Sequence, residues 1–292
     1  MSARVGILVF PGTNSEEETL RACLAVGLDA ALVHWNAEPD DLRGLAAFVL
    51  PGGFAYEDRV RAGAVAAHDR LMSAVRAAAA AGKPVLGICN GAQILVESGL
   101  VPALDDIERP QVGFTRNTPA GKYRSTHVHV KLAVAPERCT ITASLPAGAV
   151  LPAWASHGEG RLAAEPYVLT RLKRENRVAF VYCNGRGDVT ADAVPNGSAL
   201  GAAALVNARG NVLALMAHPE RDAWTYMHHG SERERARGDA AAMLAPSGGI
   251  ALFAGLAQAV NGFRSAEPLH DSATPNQALG GSRAEPDMLG TQ

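Results

Sequence analysis

Val85-Leu86-Gly87-Ile88-Cys89-Asn90-Gly91-Ala92-Gln93-Ile94-Leu95 holds the key to the chain. Residues 85–88 form a short apolar run, as expected of a strand buried on both faces. Residues 93–97 belong to a following helix. Between them, Cys89 sits in a tight turn with glycine two residues to either side, which is the spacing of a nucleophile elbow with Cys in place of Ser. Such a turn presents the thiol at the carboxyl end of the sheet. The positive end of the helix beneath it favours the thiolate, and the glycines permit the cramped backbone. A Cys at a strand end is more often an inert packing thiol; the paired glycines shift the reading toward a nucleophile.

Working outward, residues 5–10 read as a first strand, stopped by Pro11-Gly12. Ser15 and Glu18 have capping-box spacing, and Leu20, Leu24 and Leu28 continue an apolar helical stripe. Residues 30–35 and 45–50 read as the second and third strands, the third ended by Pro51-Gly52-Gly53. A helix is expected over 64–81, closed by Gly82. Strand alternating with helix implies βαβ units and an α/β fold: a mostly parallel central sheet flanked by helices. After Gly99 the pattern changes. Residues 128–134, 150–154, 162–170 and 178–182 read as strands of an antiparallel or mixed extension, and 203–206 with 212–217 as a hairpin. Residues 227–247 read as a charged surface insertion and 249–260 as a helix. Together 1–263 read as one domain and 264–292, rich in Pro, Gly and Ser, as a disordered tail.

With 292 residues, 48% apolar and 19% charged, the chain can bury a large core. Its 27 basic and 29 acidic residues leave a net charge of −2, without the basic excess of a nucleic-acid binder. No apolar run is long enough for a membrane span, and the first strand is too short for a signal peptide. Cys23, Cys89, Cys139 and Cys183 are far apart, suggesting neither a disulfide framework nor a zinc knuckle. A cytoplasmic protein with reduced thiols is expected.

A thiolate needs an acid/base partner. His218-Pro219-Glu220 follows the apolar run 212–217 directly. With proline holding the tripeptide extended, His218 can reach Cys89 while Glu220 orients the imidazole. At Pro51-Gly52-Gly53, the N–H of Gly53 can join that of Asn90 as an oxyanion hole. His127 and His129 share a strand face, but no Cys, Asp or Glu cluster accompanies them, so no metal site is expected. His228-His229 reads as loop. There is neither a G-x-x-x-x-G-K-[ST] phosphate loop nor a G-x-G-x-x-G fingerprint.

These pieces resemble the class I, triad-type glutamine amidotransferases, and within them the glutaminase subunits of phosphoribosylformylglycinamidine synthases. The resemblance spans residues 4 to about 262. It is carried by Phe10-Pro11-Gly12-Thr13-Asn14, Pro51-Gly52-Gly53-Phe54-Ala55-Tyr56-Glu57-Asp58, the Cys89 elbow, Ser156-His157-Gly158-Glu159-Gly160, Pro195-Asn196-Gly197-Ser198 and His218-Pro219-Glu220-Arg221. It implies a flavodoxin-like fold, Cys89 as nucleophile, His218 as acid/base and Glu220 as its orienting partner. Gly53 and Asn90 would supply oxyanion N–H groups, and Gln93, Ser156, His157 and Gly158 would hold glutamine. It further implies a synthetase subunit and a small accessory subunit as partners, with ATP and magnesium on the synthetase and no cofactor in this chain. Glu57 departs from the Gly expected there, and Ala92 from Phe. A free-standing hydrolase such as a γ-glutamyl hydrolase shares the Cys/His pair; a non-enzymatic thiol sensor would leave Glu220 idle.

Overall fold

The computed structural model describes residues 4–105, 109–119, 121–228 and 231–266. Its first half alternates as the apolar runs dictate: β1 (Arg4–Val9), α1 (Glu16–Ala25), β2 (Asp29–His34), β3 (Ala47–Leu50), α2 (Met72–Ala81), β4 (Val85–Ile88) and α3 (Asn90–Glu97). The second half holds β5 (Gly113–Thr115), β6 (Arg124–Leu132), β7 (Val150–His157), β8 (Arg161–Ala163), α4 (Pro166–Arg174), β9 (Val178–Cys183), β10 (Ala202–Val206) and β11 (Val212–Leu215). Two short helices, α5 (Glu232–Arg237) and α6 (Ala240–Met243), precede α7 (Ile250–Ala266).

One nine-stranded sheet runs β2-β1-β3-β4-β11-β10-β9-β6-β7, and β5 pairs with β8 in a separate ribbon. The first five strands are mutually parallel. Their order is that of a flavodoxin-like doubly wound sheet, in which ligands bind at the carboxyl ends of the strands. β3, β4 and β11 are buried at every position, because helices cover both faces of a parallel sheet. The remaining four strands are antiparallel and form the expected extension.

Register places the site. Leu50 lies opposite Gly87, and Leu215 opposite Ile88. β3, β4 and β11 therefore end level, and the residues that follow them emerge at one edge. The antiparallel extension curls back on the same edge. Trp154 of β7 pairs with His218, just past β11, through N–H to O contacts of 3.2 and 2.8 Å. One hydrophobic cluster links Val5 of β1 to Val260 of α7.

Several elements differ from expectation. The stretch 162–170 is not one strand: β8 stops at Ala163, and Pro166 opens α4 at its first position, where a missing N–H costs nothing. The helix expected from 64 begins only at Met72. Asp69 is extended and its carboxylate takes the Leu71 N–H at 2.8 Å, which ends a preceding 3-10 turn. In α1 the buried face is Thr19, Ala22 and Cys23, whereas Leu24 is 51% exposed. The Ser15 side chain makes no cap; the Ser15 carbonyl instead accepts the Thr19 hydroxyl at 2.7 Å. The 227–247 insertion contains α5 and α6. α7 continues through 264–266, and the rest of the expected tail lies outside the described residues, as does His229.

Candidate active site

Cys89 links β4 to α3 with φ +51° and ψ −105°, a conformation rare for a residue with a side chain. The strain persists because the surroundings fix it. The Cys89 N–H donates to the Leu215 carbonyl at 2.8 Å, and the Gly91 N–H to the Pro51 carbonyl at 3.1 Å. The elbow is thus tied to both neighbouring strand ends. A Cβ on Gly91 would fall 1.9 Å from the Leu50 carbonyl oxygen, so only glycine lets the turn approach β3 this closely. The sulfur stands at the N-terminal end of α3, where unpaired N–H groups concentrate positive charge.

His218 is gripped through its backbone by Trp154. Its Nδ1 lies 2.5 Å from Glu220 Oε1, and the two residues are 1% and 0% exposed. His218 itself is extended, but Pro219 to Asp222 form a 3-10 turn, so the tripeptide is not extended throughout. The bend still brings the carboxylate onto the ring. Burial lowers the pKa of His218, but the Glu220 carboxylate and the Cys89 sulfur outweigh it and hold the pKa above the ordinary histidine value. Nε2 is buried without a hydrogen-bond partner, while the Cys89 thiol donates to the Ser156 carbonyl at 3.6 Å. The resting thiol therefore leans toward β7, beside an imidazole primed to carry a proton.

Gly52 is a site residue that motif reading overlooked. A Cβ there would lie 2.4 Å from His218 Cε1 and 2.8 Å from Ser15 Oγ. The Gly52 carbonyl accepts the N–H groups of Asn14 and Ser15 at 3.1 and 3.2 Å. Since the peptide is trans, this clamp directs the Gly53 N–H away from residues 14 and 15. Flipping that peptide would break both bonds. Gly53 has φ +153°, and a Cβ on it would strike the Gly12 carbonyl at 2.6 Å. The 10–14 motif is therefore the bed on which the Pro-Gly-Gly turn lies.

Asn90 and Gln93 are buried in a polar lattice. Asn90 Oδ1 accepts the Ala55 N–H, and its Nδ2 donates to Asp58 and Gln93, each at 2.9 Å. Gln93 Nε2 donates to the Glu159 carbonyl at 2.7 Å. The Gln93 side chain thus ties the first turn of α3 to the loop at Glu159 in this state. Ser156 Oγ meets the Tyr123 hydroxyl at 2.8 Å. His157 is 3% exposed, and burial with the nearby His218 charge pushes its pKa down to about 4. It is a neutral ring at neutral pH. The Gly158 carbonyl accepts the Asn117 N–H. Asn117 also donates to the His157 carbonyl at 2.8 Å and accepts the Gly160 N–H at 2.9 Å. Asn117 and Trp154 carry no motif signal, because their roles rest on contacts between distant segments.

Tyr56, Glu57 and Asp58 all have positive φ, between +51° and +58°. This accounts for the expectation of glycine at position 57, since left-handed backbone favours it. The other cysteines are buried: burial pushes Cys23 up to about 12 and Cys139 up to about 11, and raises Cys183. A concavity of about 690 Å³ along β6 and residues 183–195 contains no triad residue. A smaller one of about 260 Å³ opens at Ser156, with Glu18, Trp154 and Arg221 in its wall. One reading of the sequence is corrected here. His127 does have an acidic neighbour, because Asp222 lies 3.0 Å from its ring across 95 residues of chain.

A buried Cys, His and Glu gathered at the carboxyl edge of a doubly wound sheet make the arrangement of a cysteine acyl-transfer site. The chain belongs to the family of the CobB/CobQ-like glutamine amidotransferase domain, which it matches over residues 2–254. It is 46% identical over 221 residues to the phosphoribosylformylglycinamidine synthase subunit PurQ of Symbiobacterium thermophilum, covering 75% of this chain and 87% of that protein. To the PurQ subunit of Chlorobium chlorochromatii it is 42% identical over 219 residues, covering 74% and 87%. A chain in the structure of PurLQS from Thermotoga maritima superposes with a TM-score of 0.66 at 27% identity, covering 88% of this chain and 98% of that one. No helix among the described residues is long and apolar enough to cross a membrane.

Proposed function

We propose that this chain is the glutaminase subunit of a phosphoribosylformylglycinamidine synthase, acting in the cytoplasm. The observation that carries this reading is the convergence of the strained Cys89, the 2.5 Å His218–Glu220 pair and the Pro51-Gly52-Gly53 turn at one sheet edge. It occurs in a chain 46% identical to a PurQ subunit.

The chemistry follows from the placement. The Cys89 sulfur attacks the side-chain carboxamide carbon of glutamine, forming a C–S bond. The oxyanion is met by the N–H groups of Gly53 and Asn90, one such donor being worth about 3 kcal/mol. His218 passes a proton to the departing nitrogen, and ammonia leaves as the C–N bond breaks. His218 then takes a proton from water, whose oxygen attacks the thioester; glutamate leaves and the thiol is restored. Glu220 holds the imidazole and stabilises its charged form. Gln93, Ser156, His157 and Gly158 frame the glutamine site. This step draws on no cofactor in the chain. ATP and magnesium belong to the synthetase subunit, which with a small accessory subunit uses the ammonia to convert formylglycinamide ribonucleotide to formylglycinamidine ribonucleotide.

The test is a reconstituted complex carrying Cys89→Ala. Glutamine-dependent synthesis falls by at least about 10³-fold, while ammonia-dependent synthesis is retained. Loss of both activities in an assembled complex would overturn the division of labour. Full glutaminase activity of the isolated wild-type chain would instead favour a free-standing hydrolase.

A further inference from the structure

Outside the triad, three groups able to bind a metal converge where the sequence shows only scattered histidines. His127 comes from β6, Asp222 from the turn directly after Glu220, and His228 from the start of the insertion. His127 Nε2 is 3.0 Å from Asp222 Oδ2, and His228 Nδ1 is 3.0 and 3.1 Å from the two Asp222 oxygens. One such atom from each residue lies within 4.8 Å of the others. We propose that His127, Asp222 and His228 form a binding site for a divalent transition cation of the zinc type.

The donor set fits. Two imidazole nitrogens and one carboxylate suit zinc or cobalt better than calcium or magnesium, which prefer all-oxygen cages. In a tetrahedral site with bonds of about 2.0–2.2 Å, ligand atoms stand about 3.3 Å apart, so small side-chain rotations complete the geometry. The ligands are also held in place. The Ser247 hydroxyl donates to Asp222 Oδ1 at 2.8 Å, fixing the carboxylate as an outer partner does in metal sites. The His127 ring is set edge-on against His129 and Trp154, at centroid distances of 4.8 and 5.7 Å. The Asp222 side chain is fully buried, while that of His228 is 37% exposed, which leaves a solvent side for water as the fourth ligand.

The cation is structural. It pins the beginning of the insertion to β6 and to the turn that carries Glu220, and takes no part in thioester chemistry. The alternative is a carboxylate satisfied by two imidazole N–H groups alone, and metal titration separates the two.

The experiment uses the full-length chain, free of affinity tag and stripped with chelator, titrated with Co²⁺ and Zn²⁺. One equivalent of Co²⁺ produces the visible bands of a four-coordinate site, and Zn²⁺ displaces it. Saturating Zn²⁺ raises Tm by about 5 °C. His127→Gln and His228→Ala each weaken Co²⁺ binding by at least about a hundredfold, and each abolishes the rise in Tm that Zn²⁺ gives the wild-type chain. Cys89→Ala keeps the Co²⁺ spectrum, which excludes the thiol as ligand. Absence of a saturable spectrum, or its persistence in the His127→Gln/His228→Ala double variant, overturns the proposal. The readouts are independent of glutaminase activity, so failure here leaves the proposed function untouched.

Discussion

A single methyl group separates Gly52 from a collision with His218. A Cβ at that position would lie 2.4 Å from the imidazole Cε1, and the ring cannot yield freely, because Trp154 holds its backbone and Glu220 its Nδ1. Gly52→Ala should displace the imidazole by about 1 Å and lower glutaminase kcat on the order of 10²-fold. Ammonia-dependent synthesis by the complex should be unchanged. A variant with wild-type kcat would show that the ring has slack the packing denies. At this scale the sequence was legible where chemistry demands a residue type: Cys89, His218 and Glu220 sit as their motifs suggest. Gly52 was hidden, because its constraint comes from a ring 166 positions along the chain.

Between elements, the segment from Ser156 to Gly160 is suspended from neighbours. Asn117 alone bonds the Lys122 and His157 carbonyls and the Gly160 N–H, and is 1% exposed. Asn196 adds a bond from its Nδ2 to the Gly160 carbonyl at 2.7 Å. Leaving such buried groups unpaired costs about 1–3 kcal/mol each. Asn117→Ala should therefore loosen the segment from Ser156 to Gly160 and, on the proposed function, raise KM for glutamine roughly tenfold, with a smaller effect on kcat; steady-state kinetics on the assembled complex separate the two. A larger fall in kcat than rise in KM would mean that the loop serves the chemistry. The buried strands β1, β3, β4, β10 and β11 were readable because parallel and central strands need unbroken apolar runs. The α4 helix and the turned face of α1 were not. Pro166 marks a helix start as readily as it interrupts a strand, and α1 buries the small Ala22 and Cys23 while leaving Leu24 in solvent.

For the molecule as a whole, the triad links folding to pH. His218 holds its proton more tightly in the folded state than in the unfolded chain, where it titrates near about 6.5. The stability this contributes is complete below about pH 6.5 and is lost as pH rises through the raised native value. Glu220→Gln removes the carboxylate that sustains the shift. Its Tm deficit against the wild type should be largest near about pH 6 and narrow toward about pH 9, as thermal melts across that range will show. A deficit that widened with pH would mean that His218 is neutral when buried.

Strand alternating with helix in the parallel half, the Cys89 elbow, the His218-Pro219-Glu220 motif and the family likeness were all present in local patterns, since each follows from apolar periodicity or from residue types a few positions apart. The curl that brings Trp154 to His218, the clamp on the Gly52 carbonyl, the lattice around Asn90 and the meeting of His127, Asp222 and His228 were not. Each joins residues tens to hundreds of positions apart. Such contacts exist only once the antiparallel strands have closed on the parallel edge, because long-range packing brings no neighbours together until the chain between them has folded.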